Sequence, residues 1–324
     1  MEGLATLPAT VTLATAVCVA LVIDRLFGEP PAWAHPVVAM GRYLDWFGPR
    51  LWRLPAVTAR LGGALAWYLG AVLVLAAALV LDIGVTAVTA ATEVAPMPSM
   101  LRGVLLGVLL KPLLSWRMLC DEVEAVDQAL SHSLDAGRCR LGWLVSRDTA
   151  ALDEAQVRES AIESLAENLN DSVVAPLCWF LVAGLPGAAL YRFANTADAM
   201  WGYRDHRLWM GQWAARVDDL LSWLPARATA LMLWLAAGRR PDWRAMRAEA
   251  AHTPSPNGGW PMGTMALLLG VRLGKPGVYT LHAAGRAPSS EDVRQACRWA
   301  GRAVLLSAAL LVAGQGVYEG LAHV

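Results

Sequence analysis

Four stretches of the chain have the length or apolarity to enter a bilayer, which needs about 20 residues of helix. They lie near 8–23, 62–91, 173–193 and 303–321. Three shorter stretches, near 103–119, 220–237 and 261–271, are each cut short by Lys111, Arg227 or a proline. Polar segments separate them: a basic, Trp-rich one at 24–60, a helical one at 120–172, and 238–302. Strand-like alternation is scarce and no internal repeat is visible. The pattern predicts an all-α, polytopic integral membrane bundle, a single domain over 1–324 with a cytoplasm-facing helical segment at 120–172. Gly184-Leu185-Pro186-Gly187 interrupts the run at 173–193, which predicts a broken or re-entrant helix pair. Asp153 followed by Gln156 has the spacing of a capping pair that opens a helix.

Composition agrees with a membrane protein. Hydrophobic residues make up 56% and charged residues 17%, against about 45–50% and 25% in soluble domains. Lys+Arg 27 balances Asp+Glu 27, so the chain carries no electrostatic footprint for nucleic acid. The five cysteines form no CxxC pair and the six histidines no HExxH, which argues against a disulfide framework and a zinc hydrolase. The first apolar run lacks a basic region before it and a small-residue cleavage site after it, so it is read as a retained membrane helix. Arg25, Arg42, Arg50, Arg53 and Arg60 follow it. The positive-inside bias therefore puts 24–60 in the cytoplasm and the N-terminus outside.

Polar residues gather in four places. In 147–177, Glu159, Glu163 and Glu167 recur every fourth residue, so a helix carries them on one face. Asn168, Asn170 and Asp171 follow just before the apolar run. Few bases offset these carboxylates along the helix, and the row suggests a hard cation such as Mg²⁺. In 191–219, Asn195 and Asp198 share a helical face, among Arg192, Arg204, Arg207 and Arg216, whose forks suit phosphate or carboxylate. Lys111 is a cation inside an apolar run, a functional candidate for that reason. The stretch Asp24-Arg25 to His35-Pro36 fits no metal spacing and is weak alone, as is the turn Ser255-Pro256-Asn257-Gly258-Gly259. Neither a Walker loop nor a strand-borne GxGxxG is present.

These segments together resemble the cobalamin biosynthesis family CobD/CbiB, adenosylcobinamide-phosphate synthase. The resemblance rests on DRLFGEPPAWAHPVVAMGR at 24–42, LLKPLLSWR at 109–117 and the long run 137–204. WAARVDDLLSWLPAR at 213–227 and SPNGGWPMGTMALLLGVRLGKPGVY at 255–279 complete it. It departs at Asp205-His206, where the family pattern is more Asn- or Lys-like. The resemblance implies a multi-pass enzyme of the bacterial inner membrane. Such an enzyme joins adenosylcobyric acid to (R)-1-aminopropan-2-ol or its O-phosphate as an amide, with ATP and Mg²⁺ and with the corrinoid as substrate. Other late cobalamin-pathway enzymes would be partners, alongside the lipid bilayer.

On that basis Glu163, Glu167, Asp198 and Lys111 are expected to be catalytic. Glu163, Glu167, Asp171 and Asp198 are the expected metal ligands. Arg147, Asp148, Asn168, Arg192, Asn195, Tyr203, Arg204 and Asn257 are expected to bind the nucleotide or orient substrate. Two other function classes share these clusters: a transporter for corrinoids or other anions, and a membrane scaffold that docks soluble corrinoid enzymes.

Overall fold

The computed structural model describes residues 7–90, 97–239 and 242–322, and residue 91 of the expected 62–91 segment lies outside these. The elements are α1 (Leu7–Phe27), α2 (Pro36–Leu51), α3 (Ala56–Ala90), α4 (Met97–Leu110), α5 (Trp116–His132), α6 (Leu134–Leu141) and α7 (Glu154–Leu169). There follow α8 (Ala175–Trp201), α9 (Leu208–Leu221), α10 (Trp223–Ala236), α11 (Trp243–Ala250), α12 (Gly259–Leu269), β1 (Leu273–Lys275), β2 (Tyr279–Leu281) and α13 (Ser290–Ala322). Among the described residues, five helical stretches are long and apolar enough to cross a membrane: Ala9–Phe27, Ala56–Ala90, Pro98–His132, Glu154–Trp201 and Ser290–Val317. The protein is a multi-pass, almost wholly helical membrane protein, as the hydropathy pattern predicts.

Two of those stretches are not single rods. Pro98–His132 contains a 3-10 turn at Lys111–Leu113 and an extended Leu114 before α5 begins. Glu154–Trp201 contains α7, a π-helical turn at Asn170–Val174 and then α8.

The described chain divides into two compact units. The first takes Met1–Ser115, Ala175–Leu221 and Ala308–Val324. Here α1 and α4 run in the same direction and pack closely, because glycines let their backbones approach. A Cβ on Gly103 would sit 2.7 Å from the Thr12 carbonyl oxygen, and one on Gly107 2.6 Å from that of Ala16. A side chain on Gly63 would overlap the Met210 carbonyl between α3 and α9, and one on Gly211 the Trp201 carbonyl. Lipid supplies no hydrophobic drive between such helices, so close van der Waals contact at small residues holds them.

The predicted break in the 173–193 run is present inside α8. Ala183 (φ −140°, ψ 24°) and Gly184 (φ 62°, ψ −155°) leave helical geometry, and the Gly184 conformation is one that only glycine adopts without strain. Pro186 then falls in the first turn of the second half, where its missing N–H costs nothing. A Cβ on Gly187 would overlap the Trp179 carbonyl. Residues eight apart in an unbroken helix are separated by about 12 Å, so the chain turns back on itself at this point.

The second unit takes Trp116–Val174 and Ser222–Ser307. Its centre is α7, where Val157, Ile162, Leu165, Ala166 and Leu169 are all fully buried. The expected capping pair is a complete capping box: Asp153 Oδ1 accepts from the Gln156 N–H at 2.8 Å, and Gln156 Oε1 from the Asp153 N–H at 2.9 Å. The polar stretch 120–172 is thus three helices with an irregular connection at 142–153, and 261–271 begins its helix earlier, at Gly259. An antiparallel ribbon, with Lys275 opposite Tyr279, is an addition to the expected all-α reading. Its three-residue strands are too short for a readable alternation, and Gly277 (φ 74°) makes its turn.

The close helix contacts of the first unit give a direct test. Gly63→Val or Gly211→Val is expected to destabilise the protein by about 1–3 kcal/mol through overpacking. Gly84→Val, at a position with nothing within 4 Å, should stay within about 0.5 kcal/mol of the parent. Thermal unfolding in detergent measures all three, and equal melting temperatures would refute the close-packing account.

Candidate functional site

The 3.6-residue period of α7 puts Ser160, Glu163, Ser164 and Glu167 along one wall of a cleft of about 290 Å³ in the second unit. Arg147 reaches it from the connection before α7, Lys275 and Tyr279 from the ribbon, and Ser255 from the loop before α12. Glu163 is held at both oxygens. Arg147 Nη2 lies 3.3 Å from its Oε2 and also donates to Ser160 Oγ at 2.7 Å. The Tyr279 hydroxyl donates to Oε1. Burial, and next the Glu163 carboxylate, push the Tyr279 phenol far above its ordinary value, so it stays a protonated donor.

Glu159, one turn earlier, pairs with Arg272 at 3.0 Å. The carboxylate row is therefore not uncompensated, as the helix sequence alone suggested: Glu159 and Glu163 both draw arginines from distant positions. Glu167 faces the start of α12, and its Oε1 would be 3.1 Å from a Cβ on Gly258, which is why a glycine suits that position. Ser255 Oγ accepts the N–H groups of both Asn257 and Gly258 at 3.2 Å. Asn168, also on the cleft wall, donates to the Ser164 carbonyl at 3.0 Å.

Other expected residues of this unit lie away from the cleft lining. Asp171 sits in the π-helical turn, whose extra residue per turn breaks the four-residue spacing that would otherwise continue from Glu167. Its Oδ1 accepts from Asn170 Nδ2 at 2.7 Å. Asp148 is exposed and accepts the Ala150 N–H at 2.9 Å. Asn257 is buried and accepts from Arg227 Nη1 at 3.2 Å.

The first unit holds the remaining expected residues. Lys111 is buried, with Asp24 and Glu29 each at 3.2 Å. His35 Nε2 meets Glu29 at 3.1 Å while its Nδ1 accepts the Val37 N–H at 3.2 Å, so the neutral ring carries its proton on Nε2. Burial pushes the Glu29 carboxyl up, but the His35 hydrogen bond and the Lys111 charge outweigh it and hold it below its ordinary value. In sequence the 24–36 stretch was weak. A lysine in an apolar run demands a counter-ion, however, and that demand was the signal pointing to Asp24 and Glu29.

Arg192 donates to Asn195 Oδ1 at 3.4 Å, and Asn195 Nδ2 to Asp218 Oδ1 at 3.5 Å. The Asp198 carboxylate lies against Gly202, where a side chain would overlap it. The Tyr203 ring stacks under Arg207, 3.9 Å from its centroid. Burial raises the Asp219 carboxyl above its ordinary value against the opposing charge of Arg204. The expected metal set is thus divided, with Glu163, Glu167 and Asp171 in one unit and Asp198 in the other. Among the described residues, no three His, Cys, Asp or Glu side chains converge on a common point. Lys275 and Tyr279 escaped sequence reasoning because the ribbon that presents them did.

Comparison with known proteins adds to this geometry. The chain is 41% identical over 304 residues to the cobalamin biosynthesis protein CobD of Chromobacterium violaceum, covering 91% of this chain and 94% of that one. It is 40% identical to the protein of that name in Stutzerimonas stutzeri, covering 89% and 93%. It is 38% identical to the probable cobalamin biosynthesis protein CobD of Pyrococcus furiosus, covering 86% and 91%. No solved structure matches the chain. The CobD/Cbib protein family model matches residues 17–300, nearly the whole described chain, and the protein belongs to that family.

Proposed function

We propose that this protein is an ATP-dependent amide ligase of cobalamin biosynthesis. It joins the free propionate carboxylate of adenosylcobyric acid to the amine of (R)-1-aminopropan-2-ol or its O-phosphate. Family membership supports the pathway. The observation that carries the chemistry is the second unit's cleft, where Arg147 and Lys275 stand beside Glu163 and Glu167.

A carboxylate does not condense with an amine at neutral pH until one of its oxygens becomes a leaving group. ATP with Mg²⁺ supplies the phosphoryl group that achieves this. Mg²⁺ takes one or two carboxylates and completes its shell with water and phosphate oxygens, so Glu167 with Glu163 fits it without a dedicated protein cage. Arg147 and Lys275 offset charge on the transferred phosphoryl. Arg147 is fixed for this by Ser160 and Glu163. Glu163, claimed at both oxygens, organises the cleft, and Glu167 on the same wall takes the proton that the amine must lose.

In the same reading Asn168 and Asn257 orient the amide-forming groups and Asp148 borders the nucleotide. Asp171 and Asp198 remain proposed metal ligands. Arg192, Asn195, Tyr203, Arg204 and Lys111 remain proposed contacts of the first unit with anionic substrate. The membrane is the setting, with other late corrinoid enzymes as proposed partners.

Turnover by the purified protein in detergent tests the reading directly. With adenosylcobyric acid, ATP, Mg²⁺ and either amine, corrinoid amide should appear in step with ADP. A folded protein that binds the corrinoid yet forms neither product would sink the ligase. Glu167→Gln is expected to lower turnover by about 10²–10³-fold, the range of a lost proton acceptor, with corrinoid affinity nearly unchanged. Full activity at unaltered Mg²⁺ dependence would remove Glu167 from the chemistry.

Tyr279→Phe should cost about 1–3 kcal/mol by leaving Glu163 short of a donor. The raised phenol value fixes the pH behaviour. Its stabilising share is complete below the unfolded tyrosine value of about 10, and is lost only as pH rises through the higher folded value. The difference between wild type and Tyr279→Phe should therefore be flat from about pH 7 to 9. A difference that shrinks across that range in thermal unfolding would contradict the assignment.

A further inference from the structure

Four arginines around the cleft helix each have a carboxylate partner. Arg147 meets Glu163 at 3.3 Å, Arg158 meets Asp127 at 2.8 Å, Arg272 meets Glu159 at 3.0 Å and Arg286 meets Asp292 at 2.6 Å. Arg227 of α10 is different. Its three hydrogen bonds all go to neutral oxygens: Nη1 donates to the Trp223 carbonyl at 2.5 Å and to Asn257 Oδ1 at 3.2 Å, and Nη2 to the Pro256 carbonyl at 3.4 Å. Among the described residues no carboxylate pairs with it. Burial accordingly pushes its pKa down, although a guanidinium remains charged throughout the working range.

Two indole rings also lie against the guanidinium. Trp223 lies 4.3 Å from it, ring centroid to carbon, and Trp260 lies 4.8 Å away. Trp243 adds a third ring to the group, tilted 59° against Trp260 with the centroids 6.0 Å apart. Aromatic faces hold a cation in place without neutralising its charge. A guanidinium has five N–H donors, so three bonds leave two unspent on its edge. Trp223 is about half exposed, so the stack is reached from outside the protein. The group is therefore a cation fixed in position by neutral oxygens and rings, with its planar fork still able to take an anion. It also anchors Pro256 and Asn257, in the loop whose Ser255 lines the cleft.

We propose that Arg227, held against Trp223 and Trp260, forms a phosphate-binding site. The tetrahedral oxygens of a phosphate ester match two adjacent N–H donors, and its charge is the one the site lacks. Two sources carry that chemistry: a soluble phosphate monoester, or the headgroup of an anionic phospholipid. The site stands apart from the ligase reading, because binding is measured without turnover.

The full-length protein, purified in detergent free of phosphate and phospholipid, is titrated with O-phosphoethanolamine. A parallel arm uses short-chain phosphatidylglycerol in mixed micelles. Tryptophan fluorescence and calorimetry are read together. Wild type should give saturable binding in at least one arm. Arg227→Gln should weaken it about tenfold or more, as loss of hydrogen bonds to a charged group implies. Arg227→Lys keeps the charge and should retain the wild-type melting temperature while binding more weakly. Trp260→Phe should remove much of the fluorescence change.

Binding in the monoester arm alone assigns a soluble ligand, and binding in the lipid arm alone assigns a headgroup. The proposal is overturned if wild type binds in neither arm. It is equally overturned if Arg227→Gln, or Arg227→Lys where the first variant does not fold, binds as wild type does.

Discussion

The Glu163 carboxylate ties together the second unit's cleft. It projects from α7 but is satisfied only by groups that arrive from elsewhere, Arg147 from the connection before that helix and Tyr279 from the ribbon after α12. A nearly buried anion without partners is costly enough to disfavour the fold that contains it. The ribbon, the connection and the helix must therefore meet at one place, and the space left between them is the cleft. The capping box at Asp153 and Gln156 starts α7 in the register that points Glu163 there.

The first unit repeats the constraint with opposite sign. Lys111 falls where α4 gives way to a 3-10 turn, and its ammonium is met by Asp24 at the end of α1 and Glu29 just beyond it. An ion cluster of this kind adds little net stability compared with well-packed apolar groups. What it does here is fix the course of residues 28–35, with His35 both closing the network and capping α2. Glycine contacts bring the helices close, and the buried charges decide how the chain passes from one helix to the next.

Much of this was legible in sequence. The long apolar runs became helices because their length and hydropathy leave no other structure for them, and Asp153 with Gln156 marked the start of α7 within one residue. Gly184 with Pro186 marked the break in α8, since no other residue pair there relaxes the helix so cheaply. The four-residue spacing placed Glu159, Glu163 and Glu167 on one face correctly. Spacing within a helix says nothing of what lies across from it, and so Arg272, Arg147 and Tyr279 were hidden. Asp171 continued the spacing on paper, but a π-helical turn, which no residue type announces, interrupts it. Lys275 and Tyr279 were missed because three-residue strands leave no periodic trace, and Arg227 looked like a mere interruption of an apolar run.

The reversal at Gly184 bears on how the protein enters the bilayer. The apolar part of the first half, residues 173–182, spans only about 15 Å and the second half, 185–201, about 25 Å, each less than the roughly 30 Å of a hydrocarbon core. Neither half is a complete inserting unit, and the turn between them exposes backbone groups that lipid cannot satisfy. The pair must therefore go in as one hairpin, and only once neighbouring helices are ready to shelter its tip. Residues of α1, α3 and α4, among them Thr12, Thr86 and Ser99, surround Gly184 and Leu185 and provide that shelter. Biogenesis of this unit thus runs in chain order, because these three helices that line the space at Gly184 are made before the hairpin itself.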